Sequence, residues 1–189
     1  MSLMRAGLTT TRRGFAGFTL VELMVVVAII GVLATIAVYG TSKYIASSKT
    51  GEAVQMLGAI KSAQEAYKDE TFAYLDVSGS LSTYYPTNPH AGQVKAMWGG
   101  GGEVGEKWAA LGVNASGPVL FGYACVAGAS DAALPNPGSD ISIGNWPSTA
   151  LGAPWYVAKA HADLDQGGNE SVYVAASFTT QIFSANEGQ

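Results

Sequence analysis

The longest apolar stretch of the chain runs from Phe18 to Tyr39, and Glu22 is the only charged side chain within it. About 20 apolar residues in a helix are long enough to cross the hydrocarbon core of a bilayer. The pattern therefore predicts a membrane-spanning helix over residues 18–40. A carboxylate inside such a helix costs about 2.5–3.5 kcal/mol on insertion scales, which makes Glu22 the first candidate for a functional residue.

Residues 41–70 continue without a proline, and their apolar positions recur every three or four residues. This spacing is typical of an amphipathic helix with one buried face. We therefore expect the helix to continue past residue 40 and to pack under a head domain. Its predicted buried face consists of Ile45, Ala53, Met56, Leu57, Ile60, Ala63 and Tyr67.

Residues 71–117 are rich in glycine and proline and include four consecutive glycines, Gly99 to Gly102. The composition predicts an irregular connection between the helix and the rest of the chain. A phosphate-binding loop is not predicted, because no Gly-Lys-Ser/Thr sequence follows the glycines.

Residues 118–189 form the predicted head. Apolar and alternating segments predict strands at 118–127, 155–162 and 171–178, and a short edge strand at 181–184. A long helix followed by antiparallel strands is an α+β arrangement with the helix on one face of the sheet. The predicted fold class is thus α+β, with a long N-terminal helix packed on a small antiparallel sheet of three to four strands.

The charge distribution separates residues 1–17 from the rest. They contain three arginines and no acidic side chain, and positive residues beside an apolar helix are retained on the cytoplasmic side. Without those three arginines the chain has seven Lys and Arg against fourteen Asp and Glu, a net charge of −7. The acidic charge of residues 18–189 predicts no broad nucleic-acid-binding surface.

The single cysteine, Cys125, excludes an intramolecular disulfide. It continues an apolar alternation through Val119, Phe121 and Tyr123, so we expect a buried structural thiol. The sequence contains no Ser/His/Asp or Cys/His arrangement of the kind that carries nucleophilic catalysis, and an enzymatic function is not predicted.

Residues 17–34, which read GFTLVELMVVVAIIGVLA, resemble the N-terminus of type IV pilins and type II secretion pseudopilins. The resemblance implies a basic leader over residues 1–17, a class III signal peptide that a prepilin peptidase removes after Gly17. It also implies N-methylation of Phe18, and pairing of Glu22 with the N-terminal amine of a neighbouring subunit during assembly. Many pilins have a proline near the end of the apolar segment, where this chain has Tyr39 and Gly40.

For the whole protein, the resemblance implies an inner-membrane precursor that an assembly platform polymerises into an extracellular pilus. A pseudopilin in a periplasmic filament and a minor pilin are alternatives, and motility, adhesion, DNA uptake and secretion all remain open as the end use. From the residues alone, an uncleaved signal anchor is the alternative to a leader. A monomeric, membrane-anchored binding domain is the alternative to a filament subunit.

The polar loop from Asp163 to Glu170 is the candidate cation site. It resembles an aspartate-glycine loop near the C-terminus of some pilins and pseudopilins, and carboxylates beside a glycine turn suit calcium. The candidate ligands are Asp163, Asp165 and Asn169, and a hairpin turn closed by its own Asp and Asn side chains is the alternative. A transition-metal site is not predicted, because His90 and His161 have no Cys or His near them in sequence.

Overall fold

The computed structural model describes residues 17–86, 94–148, 152–164 and 170–187. The chain divides into two compact units, one ending at Ser42 and the other beginning at Lys43. The elements in chain order are helix α1 (Leu20–Thr71), helix α2 (Glu103–Ala110) and strands β1 (Gly122–Gly128), β2 (Trp155–Ala162), β3 (Ser171–Ala176) and β4 (Phe183–Ala185).

In the first unit, α1 is apolar on all sides. Every large apolar side chain from Leu20 to Val38 is exposed, by 52–76% of its surface. The stretch contains no proline, and its leucine, methionine and alanine residues are good helix formers, so a continuous helix follows from the local sequence. Its length and composition are those of a membrane-crossing helix.

In the second unit, α1 buries one stripe. Ala53, Met56, Leu57 and Ile60 lie in the core, as the spacing predicts. Gln64 continues the stripe and is fully buried. The prediction that Ile45 belongs to this face is wrong, because its side chain is 52% exposed. It lies one turn before Lys49, whose ammonium group donates to the carbonyl of Leu164 and marks where the head begins to cover the helix.

The four strands form one antiparallel sheet in the order β1-β2-β3-β4. The predicted α+β fold with a small antiparallel sheet is confirmed. β1 begins at Gly122 rather than at residue 118, because Val119 pairs with Ala96 outside the sheet. β3 ends at Ala176, where the chain turns instead of continuing to residue 178.

Both faces of the sheet are covered, and β2 is buried at all eight positions. The side chains that pack with α1 are mainly aromatic residues and alanines, among them Tyr123, Cys125, Ala158, Ala160 and Tyr173. The side chains on the other face of the sheet are mainly valines. They pack with side chains of residues 132–146, among them Leu134, Ile141 and Trp146. Burial on both faces explains why the strands lack a polar alternation.

Helix α2 occupies part of the stretch that we predicted to be irregular, and that prediction is wrong there. Eight residues are too few for a periodic pattern to be recognised. The helix is held by Trp108, which is fully buried and contacts Trp98 edge-on with 5.5 Å between ring centroids. The backbone of α2 also passes so close to Gly100 that residue 105 has to be a glycine. A Cβ atom there would lie 2.3 Å from the carbonyl oxygen of Gly100.

Candidate functional site

The predicted processing and assembly residues lie together at the start of α1. Gly17, Phe18 and Thr19 precede the first helical residue, Leu20, and all are exposed. Phe18 is 85% exposed. Glu22 lies in the first turn of the helix, three residues after Thr19. A peptide bond between Gly17 and Phe18 is therefore open to solvent on a non-helical segment.

Thr19 and Glu22 form a reciprocal cap on this helix. The amide of Glu22 donates to Oγ1 of Thr19 at 3.2 Å, and the amide of Thr19 donates to Oε2 of Glu22 at 3.2 Å. The Thr19 hydroxyl also donates to the same Oε2 at 3.1 Å. This capping box satisfies backbone donors that have no partner inside the helix. It holds the Glu22 side chain at the helix N-terminus, where the helix dipole favours negative charge.

We missed Thr19 as a site residue from the sequence. A threonine followed three residues later by a glutamate, before an apolar run, is the pattern of a capping box. The pattern is present at residues 19–22 and could have identified the pair. Because the cap uses Oε2 for both bonds from Thr19, the other oxygen, Oε1, is left to accept from a further donor.

Of the predicted calcium ligands, the structure places only Asp163, which is half-buried directly after β2. Asp165 and Asn169 lie outside the described residues. The predicted leader, residues 1–17, also lies outside them except for Gly17. The calcium site and the cleavage site therefore stay predictions.

A second group of ionisable side chains meets at the edge of the head, on three segments that are distant in sequence. Asp140 lies between β1 and β2, His161 near the end of β2, and Glu170 just before β3. One potential ligand atom from each lies within 4.8 Å of the others. Nε2 of His161 is 2.7 Å from Oε2 of Glu170, and Nζ of Lys159 donates to Oδ2 of Asp140 at 3.2 Å.

The imidazole of this group is held firmly in place. His161 is 8% exposed, and its ring stacks on Tyr84 with 4.9 Å between centroids and 14° between planes. Lys159 is 4% exposed. Burial acts to raise the pKa of Asp140, but the hydrogen bond and charge of Lys159 outweigh it and lower that pKa, so Asp140 is a carboxylate at neutral pH. Gly138 makes the approach possible, since a Cβ atom there would lie 3.1 Å from Nζ of Lys159 at a φ of +113°.

Cys125 is a buried free thiol, as predicted from the alternation. Nε2 of Gln64 donates to its sulfur at 3.1 Å and to the carbonyl of Leu75 at 2.8 Å. Burial is the largest influence on the thiol and raises its pKa to about 12. A thiol with so high a pKa is a packing group and not a nucleophile.

Comparison with protein families places residues 12–38 in the prokaryotic N-terminal methylation motif. That segment includes Gly17, Phe18, the Thr19–Glu22 cap and the exposed apolar helix. This motif, together with the similarity to pilins given below, supports a type IV pilin family for the chain. The matched segment contains the residues 17–34 on which the resemblance was based.

Several curated pilins and fimbrial proteins are similar to this chain. The type IV major pilin protein PilA of Myxococcus xanthus is 46% identical over 65 residues, which are 34% of this chain and 30% of that protein. The fimbrial protein EcpC of Eikenella corrodens is 49% identical over 55 residues, 29% of this chain and 36% of that protein. The type IV major pilin protein PilE of Neisseria gonorrhoeae is 38% identical over 77 residues, 36% of this chain and 46% of that protein.

The chain thus spans about a third of the length of the first two relatives and less than half of the third. No solved structure matches the chain significantly.

Proposed function

We propose that this protein is a structural subunit of a type IV pilus. Its leader is removed by a prepilin peptidase after Gly17, the new N-terminus at Phe18 is methylated, and the subunits polymerise through the apolar part of α1. The precursor resides in the inner membrane, and an assembly platform there moves it into an extracellular filament. The pilin relatives and the methylation motif support this assignment.

The observation that carries the proposal is the exposed apolar surface of α1 from Leu20 to Val38. An apolar surface of this extent is not stable in water and marks a membrane or protein contact. A membrane covers it in the precursor, and the helices of neighbouring subunits cover it in the filament. The same side chains serve both stages, since each surrounding is apolar.

Glu22 is the residue that directs assembly in this proposal. Its Oε2 is engaged with Thr19, and its Oε1 is left for the methylated amine of Phe18 in a neighbouring subunit. A hydrogen bond between charged partners contributes about 1.5–3 kcal/mol. Repeated in every subunit, this pairing favours one register of the helices and discourages others, because a carboxylate without a partner is costly among apolar side chains.

The test uses two matched variants of one helix, Glu22→Gln and Glu70→Gln, expressed in a piliated bacterium that lacks its own major pilin. Both changes remove one negative charge from an exposed position of α1. We expect Glu22→Gln to be processed and inserted into the membrane but to give few or no sheared filaments. Glu70→Gln should give normal filaments.

Mass spectrometry of the N-terminal peptide accompanies the filament assay. A peptide that begins at methylated Phe18 in the sheared fraction is the expected result for the wild-type chain. Normal filaments from Glu22→Gln would contradict the role of Glu22. A wild-type chain that remains uncleaved, or that is cleaved but stays in the membrane as a monomer, would contradict the pilus assignment and favour an anchored binding domain. Processed peptide found in periplasmic filaments alone would favour a pseudopilin.

A further inference from the structure

We propose that Asp140, His161 and Glu170 form a binding site for a divalent transition-metal ion such as zinc, at the edge of the head domain. The three side chains come from three segments, and one potential ligand atom of each lies within 4.8 Å of the other two. Histidine nitrogen and Asp or Glu oxygen are both zinc ligands in proteins, and three protein ligands with an open fourth position are a known zinc arrangement. The site does not depend on the proposed pilus function.

The geometry needs only small side-chain movements to accept the ion. Ligands at about 2.0–2.2 Å from a tetrahedral zinc lie about 3.3–3.6 Å from one another. Nε2 of His161 and Oε2 of Glu170, now 2.7 Å apart, would separate slightly as the metal replaces the proton between them. Asp140 would approach with Oδ1, because its Oδ2 accepts from Lys159. The other neighbour of Oδ1 is the Ser139 hydroxyl, which can rotate away.

The ligand chemistry favours a transition metal over calcium. Calcium takes six to eight oxygen ligands, whereas this group offers one nitrogen and two carboxylates. One of these carboxylates, that of Asp140, already accepts a hydrogen bond from Lys159. Imidazole nitrogen suits zinc, nickel and copper. The group also differs in residues from the loop Asp163, Asp165 and Asn169 that we predicted to bind calcium.

Two features set the expected affinity below that of a dedicated structural zinc site. Nδ1 of His161 is buried and has no hydrogen-bond partner among the described residues, whereas a partner there typically improves metal affinity 10–100-fold. Lys159 also places a positive charge beside Asp140. We therefore expect micromolar affinity, and tighter binding by at least about tenfold in Lys159→Met, because that change removes the repulsion.

Binding would link the segment between β1 and β2 to both strands of the β2–β3 hairpin. The head has a single cysteine and hence no intramolecular disulfide to do this. The expected consequence is a metal-dependent rise in the thermal stability of the head. At a free zinc concentration 100 times the Kd, the melting temperature should rise by about 5–10 °C.

The experiment is titration of the full-length chain, in detergent micelles and freed of metal by a chelator, with zinc chloride and separately with calcium chloride. Calorimetry gives the stoichiometry and the Kd, and circular dichroism gives the melting temperature. We expect one zinc per chain and a higher melting temperature with zinc. Replacement of zinc by Co²⁺ should give visible absorption bands typical of nitrogen and oxygen ligands.

Matched variants assign the ligands. His161→Gln is compared with His90→Gln, since these are the two histidines of the sequence, and Glu170→Gln and Asp140→Asn are compared with Asp131→Asn. Zinc binding should be lost in His161→Gln, Glu170→Gln and Asp140→Asn. It should be retained in the controls His90→Gln and Asp131→Asn. Asp140→Asn removes the ion-pair partner of the buried Lys159, so Glu170→Gln is expected to fold even if Asp140→Asn does not.

Three results would overturn the proposal. One is the absence of stoichiometric zinc binding to the wild-type chain. Another is zinc binding that His161→Gln and Glu170→Gln leave unchanged. The third is binding of calcium but not zinc, which would favour the predicted loop site instead.

Discussion

The two parts of helix α1 share one secondary structure but differ in which of their faces are apolar and which are buried. From Leu20 to Val38 the helix is apolar all round and exposed, whereas from Ala53 to Gln64 one stripe is buried and the remaining faces are polar or small apart from Val54. A helix that is apolar on every side needs an apolar surrounding from outside the chain, and an amphipathic helix needs only its own domain. The contrast shows which half of α1 is built for assembly and which for folding.

The polar groups in the two parts follow the same division. Glu22 is the one acidic side chain of the first part, and among the described residues it forms hydrogen bonds only within its own first turn. Gln64 in the second part is buried, and its amide bonds join the helix to Leu75 and Cys125. The first arrangement leaves an acceptor for another molecule, and the second satisfies the side chain within the fold.

The largest effect is expected when the same substitution, leucine to alanine, is made in each part of α1. Leu57→Ala should destabilise the head by about 2–5 kcal/mol, because the removed side chain is fully buried. Leu33→Ala should leave the stability of the head unchanged, because Leu33 is 59% exposed in the other unit. Chemical denaturation of each variant in detergent measures both effects. Equal losses of stability would show that the two parts do not behave independently.

Alkaline pH provides a second test that acts on the head alone. The folded state raises the pKa of the Cys125 thiol to about 12 from an ordinary value of 9.0, chiefly through burial. The unfolded thiol loses its proton first, so the stabilisation is complete below pH 9 and is lost as the pH rises toward 12. The expected slope from this group is about 1.4 kcal/mol per pH unit in that interval.

Cys125→Ala is the control for the alkaline test. It should lower stability at neutral pH, because it leaves a small cavity. Between pH 9 and 12 the free energy of unfolding should fall less steeply than in wild type, by about 1.4 kcal/mol per pH unit, because one ionising group is absent. Burial also raises the pKa of Tyr123 and Tyr156, so some decline remains in the variant. An unchanged slope in Cys125→Ala would mean that the thiol ionises as easily in the folded head as in the unfolded chain.

A smaller effect is expected from Gln64→Leu, which keeps the size of the side chain but removes its hydrogen bonds. The amide and the carbonyl of Leu75 would both lose their partner in the partly buried space next to α1. An unsatisfied buried polar group costs about 1–3 kcal/mol, and the gain from a larger apolar surface offsets part of it. Denaturation of the variant, compared with the exposed change Gln55→Leu, measures the difference. A variant as stable as wild type would contradict a net stabilising role of these hydrogen bonds.

The strands were the part of the head that could be predicted best, and their ends show the limits. β2 was predicted at its observed residues, because two turn-rich stretches bound a single apolar run. β1 was predicted four residues too early, since Val119 is as apolar as a strand residue but pairs with Ala96 instead. Helix α2 was missed because its stability comes from the burial of Trp108, which a short sequence window does not reveal.

The sequence by itself determined the apolar segment, its one carboxylate, the amphipathic stripe and the order of helix and strands. These are local properties, in which side-chain type and spacing suffice. Only the tertiary structure decided that Gln64 lies in the core, that Ile45 does not, and that Asp140, His161 and Glu170 meet. Such contacts join residues far apart in the chain, and they depend on strand register and on the path of the loops, which no periodicity encodes.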